Sequence, residues 1–481
     1  MRTIMVMYDS LIRGLLEPYG GTIVKTPNFS RLQSHAVQFE NAFICSAACM
    51  PARRELHTGR PNFLDRSWGP IEPYDDSMPE ILKKNGIRSH LISDHYHYWE
   101  DGGATYHNRY SSWEIVRGQE GDSWKTNLTP FEIVTNPQRQ DSTNRQDNVN
   151  RMALTEPPQT TTFDLGLEFL EKNVTCDNWF LQLETFDPHE PFCVPKEWLL
   201  QYPDSYDGPY IDWPPYADGV SDAGAERFRS CYYALLAMCD AHLGRILDFM
   251  DAHSMWEDTM LIVNTDHGYS LGEHGWFAKC VFPMWNEVSK IPLFIWDPRE
   301  KAVGKRQSLV QSIDLAPTVL EFFGLPVPKD MAGVPLRNTV KHDASVRDAG
   351  LFGIFGGQVN ITDGRYVYMR SERTHELYQY ELIPTRHPCQ GFAPLEELKT
   401  AQLAPPFSYT KGVPLVRTKS VQKAIGHTQN DWPDMLYDTL TDPGQLTPID
   451  DPGITGAMSR RMAELMREYD TPAEQFERME L

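Results

Sequence analysis

Residues Thr3-Ile4-Met5-Val6-Met7-Tyr8-Asp9-Ser10 open as an apolar run and break off into polar side chains. A short run of this kind suits a strand in a sheet covered on both faces, where every position meets apolar cover. Three further stretches repeat the pattern. Residues 89–92 run into Ser93-Asp94-His95, residues 179–183 lead to Phe186-Asp187-Pro188-His189, and residues 260–263 lead to Asn264-Thr265-Asp266-His267-Gly268. Helical periodicity lies between them. The clearest case covers about 225–250, with Phe228, Tyr232, Leu235, Cys239, Leu243, Leu247 and Met250 recurring every three or four residues. A shorter helix is predicted after Ser77, with Pro79 in its first turn and Gly86 past its end. Strands alternating with helices predict an α/β fold, a large and mainly parallel sheet sandwiched by helices. Sites in such sheets gather beyond the carboxyl ends of the strands, where all four polar clusters fall.

Further along, the texture changes after about Asp343. Residues 358–361, 365–370 and 376–380 read as short strands of a small antiparallel C-terminal β subdomain. With 481 residues, the chain is expected to divide into a main domain over 1–343 and a C-terminal subdomain over 344–481. Residues 383–432, rich in Pro, Thr, Lys and Gln, read as an inserted loop on a surface or over a pocket, and a terminal helix is expected over 455–469.

Composition narrows the function. Acidic residues outnumber basic ones 66 to 45, a formal charge of -21, which argues against nucleic acid or an anionic membrane surface as partner. An anionic substrate would need a locally basic pocket. No run reaches the length of a membrane span, and the N-terminus enters a strand without a charged leader. The expectation is a cytoplasmic chain as the sequence stands, a removed signal peptide being the open alternative. Eight cysteines without paired spacing indicate neither a disulfide scaffold nor a zinc cluster, and seven of them read as small buried hydrophobes.

The eighth, Cys49, lies in Cys45-Ser46-Ala47-Ala48-Cys49-Met50-Pro51-Ala52-Arg53, with Leu56-His57-Thr58-Gly59-Arg60 downstream. Pro51 can occupy a first helical turn without losing a hydrogen bond, which puts residue 49 at a helix N-terminus, where negative charge is favoured. This segment resembles the signature of the sulfatase family of the alkaline phosphatase superfamily. In that family the Cys of Cys-x-Pro-x-Arg is oxidised to formylglycine, and a Thr-Gly-Arg follows. Arg53, one turn on, could reach an oxyanion on residue 49 or a sulfate oxygen with its forked donors.

Asp9, Asp266 and His267 each follow a predicted strand, and carboxylates with an imidazole at one sheet edge suit a hard divalent cation. The resemblance implies that such a metal binds there, calcium as the usual ion and manganese or magnesium as alternatives, with formylglycine from Cys49 as a further ligand. Ser10 departs from the pattern, since many members carry a second Asp. Together with His267 in place of Asn, it brings the chain nearer the phosphonate monoester hydrolase and choline-sulfatase branches. His189, in Pro188-His189-Glu190-Pro191-Phe192, matches the family's Pro-His-x-Pro-Phe, and Lys279 its later lysine. The resemblance implies that both protonate the leaving alcohol and stabilise the sulfuryl oxygens. Asp94-His95-Tyr96-His97 takes the place of Gly-Lys-Trp-His without the lysine, so His95 and His97 are candidate substrate contacts, and which of them substitutes is open. Residues 117–122 read as a structural loop.

The implied chemistry is hydrolysis of a sulfate monoester on a carbohydrate or small alcohol. One hydroxyl of the formylglycine hydrate attacks sulfur, with Asp266 as candidate base. The second then expels sulfate and regenerates the aldehyde. The alternative at the same site is a phosphonate monoester or phosphodiester. A reading from another class is an anion-binding protein in which Cys49 stays a thiol. The implied macromolecular partner is a formylglycine-generating or anaerobic sulfatase-maturing enzyme.

Overall fold

In the computed structural model the opening run becomes strand β1 (Arg2–Tyr8), every residue of it buried. The structure describes residues 1–103, 105–134, 141–385, 391–420 and 432–481. Seven more strands complete the sheet: β2 (Val37–Phe39), β3 (Arg88–Ser93), β4 (Ser112–Ile115), β5 (Trp179–Thr185), β6 (Thr259–Thr265), β7 (Leu293–Trp296) and β8 (Gly304–Arg306). Their spatial order is β8-β2-β7-β6-β1-β5-β3-β4. Of the eight, β7 alone runs against its neighbours.

Successive residues of a strand point to opposite faces, and here both faces are apolar. Met5 and Met7 enter one core with the helices Cys49–Thr58, Met78–Lys84 and Leu315–Phe322. Ile4, Val6 and Tyr8 enter the other, with the helices Pro27–His35, Pro158–Asn173 and Asp222–Ala252. Cover on both sides is why the strand is apolar throughout instead of alternating. The longest helix begins where Ser221 accepts a hydrogen bond from the Gly224 amide, which satisfies one of its orphan donors. Among the described residues, no helix is long and apolar enough to cross a membrane.

Register decides what converges. Tyr8 lies opposite both Thr185 and Thr265, so Asp9, Phe186 and Asp266 leave the sheet at one level. Ser93 lies opposite Glu184, which brings Asp94 and His95 out at the same edge.

The small sheet pairs Gly350–Ile354, Val359–Thr362, Tyr366–Arg370 and Met435–Asp438 antiparallel, as expected of a C-terminal β subdomain. Its fifth strand was not foreseen. Ser46–Ala47, just before Cys49, runs parallel to Gly350–Ile354. The helix Pro452–Glu468 packs Met458, Met462 and Met466 on this sheet, and a further helix, Ala473–Met479, follows.

The stretch expected to be an inserted loop is partly regular. Leu415–Lys419 pairs with both Tyr378–Glu381 and Gln402–Ala404, a three-stranded sheet whose Tyr380, Ala404 and Leu415 cluster with Tyr74 and with Tyr409 of the turn Ser408–Thr410. Its strands are short and half exposed, so their apolar alternation is too weak to read. Residues 386–390 and 421–431 of that stretch, Cys389 included, lie outside the described residues.

Candidate active site

Four ligand atoms, one each from Asp9, Cys49, Asp266 and His267, lie within 4.8 Å of one another, all on buried residues at the carboxyl edge of the sheet. Asp9 and Asp266 arrive from neighbouring strands in register, and Cys49 from the first turn of Cys49–Thr58. The imidazole of His267 points inward because its Nδ1–H donates to the Gly268 carbonyl at 2.9 Å. That leaves Nε2 facing the cluster, 3.7 Å from Cys49 Sγ and 3.5 Å from Asp266 Oδ2. A histidine oriented through its second nitrogen in this way is typical of metal ligation.

Arg53, fully buried one turn beyond Cys49, ties the pieces together. Its Nε donates to Glu184 at 2.6 Å, Nη1 to Asp266 at 2.8 Å and to the Cys49 carbonyl at 2.9 Å, and Nη2 to Asp9 at 3.1 Å. The sequence suggested a cation reaching an oxyanion. Here the guanidinium is a strut behind the carboxylates, and Tyr98 braces Glu184 from the far side at 2.9 Å.

The leaving-group candidates approach from the opposite side. His189 Nδ1 bonds to the Glu190 carbonyl, so Nε2 faces inward, 4.0 Å from Asp9 Oδ1. Lys279 Nζ donates to Ser10 Oγ at 3.0 Å, and the Ser10 hydroxyl donates to Asp9 Oδ1 at 2.8 Å. His95 stands within the cluster, its Nε2 3.2 Å from Asp9 Oδ2. His97 is one ring further out, 4.9 Å from His95 between centroids, with Nδ1 on Glu100 at 2.5 Å. Residues 117–122 close on themselves, Asp122 accepting from Arg117 and the Gly118 amide, as a structural loop should.

Acidic side chains outnumber cationic ones around this point. Burial holds His189 down to about 4 and His267 to about 3, and lowers His95 as well. Four buried acidic groups, Asp9, Asp266, Glu184 and Glu190, surround two cations, Arg53 and Lys279. Burial would raise Asp9, but His189, His95, Arg53 and His267 together hold it well below the usual carboxylate range. Burial and the neighbouring Asp9 push Asp266 up. A divalent cation among oxygen and imidazole donors would match both the charge and the donor set.

Residues 2–325 match the family described as Sulfatase, and residues 272–381 match N-sulphoglucosamine sulphohydrolase, C-terminal. The chain belongs to the sulfatase family. As a member it is a sulfuric ester hydrolase. It is similar to the iduronate 2-sulfatase of Mus musculus, 24% identical over 406 residues, which covers 68% of this chain and 69% of the relative. It is also similar to the N-acetylglucosamine-6-O-sulfatase of Bacteroides thetaiotaomicron, 23% identical over 405 residues and 71% of each chain. The fold is shared with BT4656, solved in complex with its substrate D-glucosamine-2-N,6-O-disulfate, at a TM-score of 0.68 and 15% identity over 98% of this chain and 99% of that one. A phosphonate monoester hydrolase of Agrobacterium radiobacter gives 0.67 and 18% over 97% and 96%.

Three parts of this sulfatase's site escaped the sequence. Glu184 and Glu190 read as ordinary acids in a strand and a turn, and their burial against Arg53 and Lys279 arises only on folding. Ser10 could be seen to replace a carboxylate, but not to receive the lysine. Glu190 did carry one signal: it is the variable residue inside the Pro188-His189-Glu190-Pro191-Phe192 element.

Proposed function

We propose that this sulfatase hydrolyses sulfate monoesters with residue 49, oxidised from cysteine to formylglycine, as nucleophile, and with one divalent cation held by Asp9, Asp266, His267 and residue 49. The observation that carries the reading is the convergence of those four residues on one buried point in front of Arg53. Calcium fits the hard oxygen donors, and manganese or magnesium are the alternatives. When bound, the cation supplies Lewis acidity and lowers the pKa of a coordinated hydroxyl. The chain's own residues do the rest. Arg53 fixes the carboxylates, Asp266 is placed as the base beside residue 49, Lys279 Nζ is the donor that protonates the departing alcohol, and His189 Nε2 faces the same point. His95 and His97 supply contacts to the substrate from the side of Phe186. The substrate class, a carbohydrate or small-alcohol sulfate, is supported by the sugar sulfatases among the relatives. A formylglycine-generating or anaerobic sulfatase-maturing enzyme is the implied partner.

Mass spectrometry of the peptide around residue 49, on protein from the native host, tests the nucleophile. The expected result is an aldehyde and an inactive Cys49→Ala. An unmodified thiol together with an active Cys49→Ala overturns the reading. A second reading, a phosphonate monoester or phosphodiester substrate at the same site, is favoured by Ser10, which removes one carboxylate from the metal's surroundings. Parallel assays of an aryl sulfate and an aryl phosphonate decide it, and a much larger kcat/KM on the phosphonate would replace the first reading.

A further inference from the structure

Glu190 is fully buried between Lys279 and His189. Both of its carboxylate oxygens lie 3.4 Å from Lys279 Nζ, Oε2 lies 3.4 Å from His189 Nδ1, and the Tyr216 phenol donates to Oε1. The ammonium is confined from other directions as well. It donates to Ser10 Oγ, and the Tyr269 ring lies 5.3 Å from it. Ala278 and Cys280, on either side of Lys279, both sit in the left-handed region, with φ of 79° and 73°. Non-glycine residues hold that conformation only where their surroundings impose it. We propose that Glu190 is a positioning residue that holds the Lys279 ammonium aimed at the leaving oxygen.

The proposal rests on the reading above, in which Lys279 gives its proton to the departing alcohol. A lysine has a flexible four-carbon stem, and a buried ammonium without a counter-charge tends to discharge. A neutral amine cannot serve as an acid. Burial works against the charge of Lys279, but the Glu190 carboxylate, with Asp9 further off, outweighs it and holds the group above the ordinary lysine range. Ser10 complements this arrangement, because its hydroxyl accepts from the lysine and donates a hydrogen bond to Asp9, leaving Glu190 as the lysine's sole direct carboxylate partner among the described residues. In the step itself sulfur exchanges its bond to the alcohol oxygen for one to the oxygen nucleophile at residue 49, the alcohol oxygen takes one proton from Lys279, and the amine is recharged from solvent. Glu190 neither gives nor takes a proton.

Leaving groups separate this role from a structural one. An alkyl sulfate expels a strongly basic alkoxide and needs the proton, whereas 4-nitrophenyl sulfate expels a stable phenolate without it. Glu190→Gln is expected to lower kcat on the alkyl sulfate about 100-fold and to change kcat on the nitrophenyl ester less than about threefold. Equal losses on both substrates, or no loss on either, overturn the proposal. If the variant does not fold, Tyr216→Phe, which loosens Glu190, should show the same contrast at a few-fold. If the wild type prefers phosphonates, the same two leaving groups are compared as phosphonate monoesters. A wild type that turns over none of these esters sinks the functional reading by itself. Glu190 is then decided by reductive methylation with formaldehyde and a borane, followed by peptide mass spectrometry. Lys279 should be modified several-fold faster in Glu190→Gln than in wild type, and equal rates refute its role.

Discussion

Arg53 meets Asp9, Asp266 and Glu184 at once, and removing its charge would strand all three carboxylates in the core. Arg53→Ala should therefore cost about 3–5 kcal/mol of stability, read by urea unfolding. Arg53→Lys should recover part of that loss but leave kcat/KM at least about tenfold down, since a point charge cannot serve three diverging acceptors. Glu55 offers a test with pH. It accepts from the Ser46 amide at 2.6 Å, from the Cys45 amide at 3.3 Å and from the Ser312 hydroxyl, and burial pushes its carboxyl up to about 8 against the pull of those bonds. The folded chain thus holds this proton more tightly than the unfolded one. The contribution is full below the ordinary glutamate value of 4.5 and is lost as pH rises through about 8. Unfolding free energies at pH 6 and pH 9 should differ less in Glu55→Gln than in wild type. At this scale the sequence revealed the residues whose chemistry is local. Asp9, Cys49, Asp266 and His267 stand in short motifs at strand ends, whereas Glu190 and Glu184 acquire meaning only from partners 89 and 131 residues away.

Among the elements, the turn after β6 carries the tightest demand. A side chain on Gly268 would put its Cβ 1.9 Å from the Glu287 carbonyl oxygen, and the carbonyl of Gly268 is what orients His267. Gly268→Ala should displace that turn, lowering both the melting temperature and the affinity for added calcium or manganese measured by calorimetry. An unchanged affinity would mean that His267 does not depend on the turn. The strands and long helices were legible because each covers a full apolar period: residues 225–250 predicted nearly all of Asp222–Ala252. Gln402–Ala404 and Leu415–Lys419 were not, because strands of three and five residues with exposed positions present too little alternation to stand out.

For the whole molecule, charge and connectivity both matter. A net charge of -21 repels an anionic ester before it reaches a pocket whose local cations attract it. Added salt screens the long-range repulsion more than the buried contacts, so KM for a sulfate ester should fall between about 10 and 150 mM salt, with kcat steady; a rise would point to attraction at long range. Connectivity gives a second expectation. Every candidate site residue lies within 1–343, yet Ser46–Ala47 takes its strand partner from Gly350–Ile354. A chain cut after residue 343 should therefore lose sulfatase activity although it retains the entire site, as an assay of the purified fragment would show. The same pairing has a consequence in time. Ribosomes add about 5–20 residues per second, and roughly 300 residues separate Ala47 from the strand that locks it. For some 15–60 seconds of synthesis, by roughly that arithmetic, the segment before Cys49 lacks its strand partner, the interval in which, on the proposed reading, an oxidising enzyme would reach a cysteine that the finished fold buries.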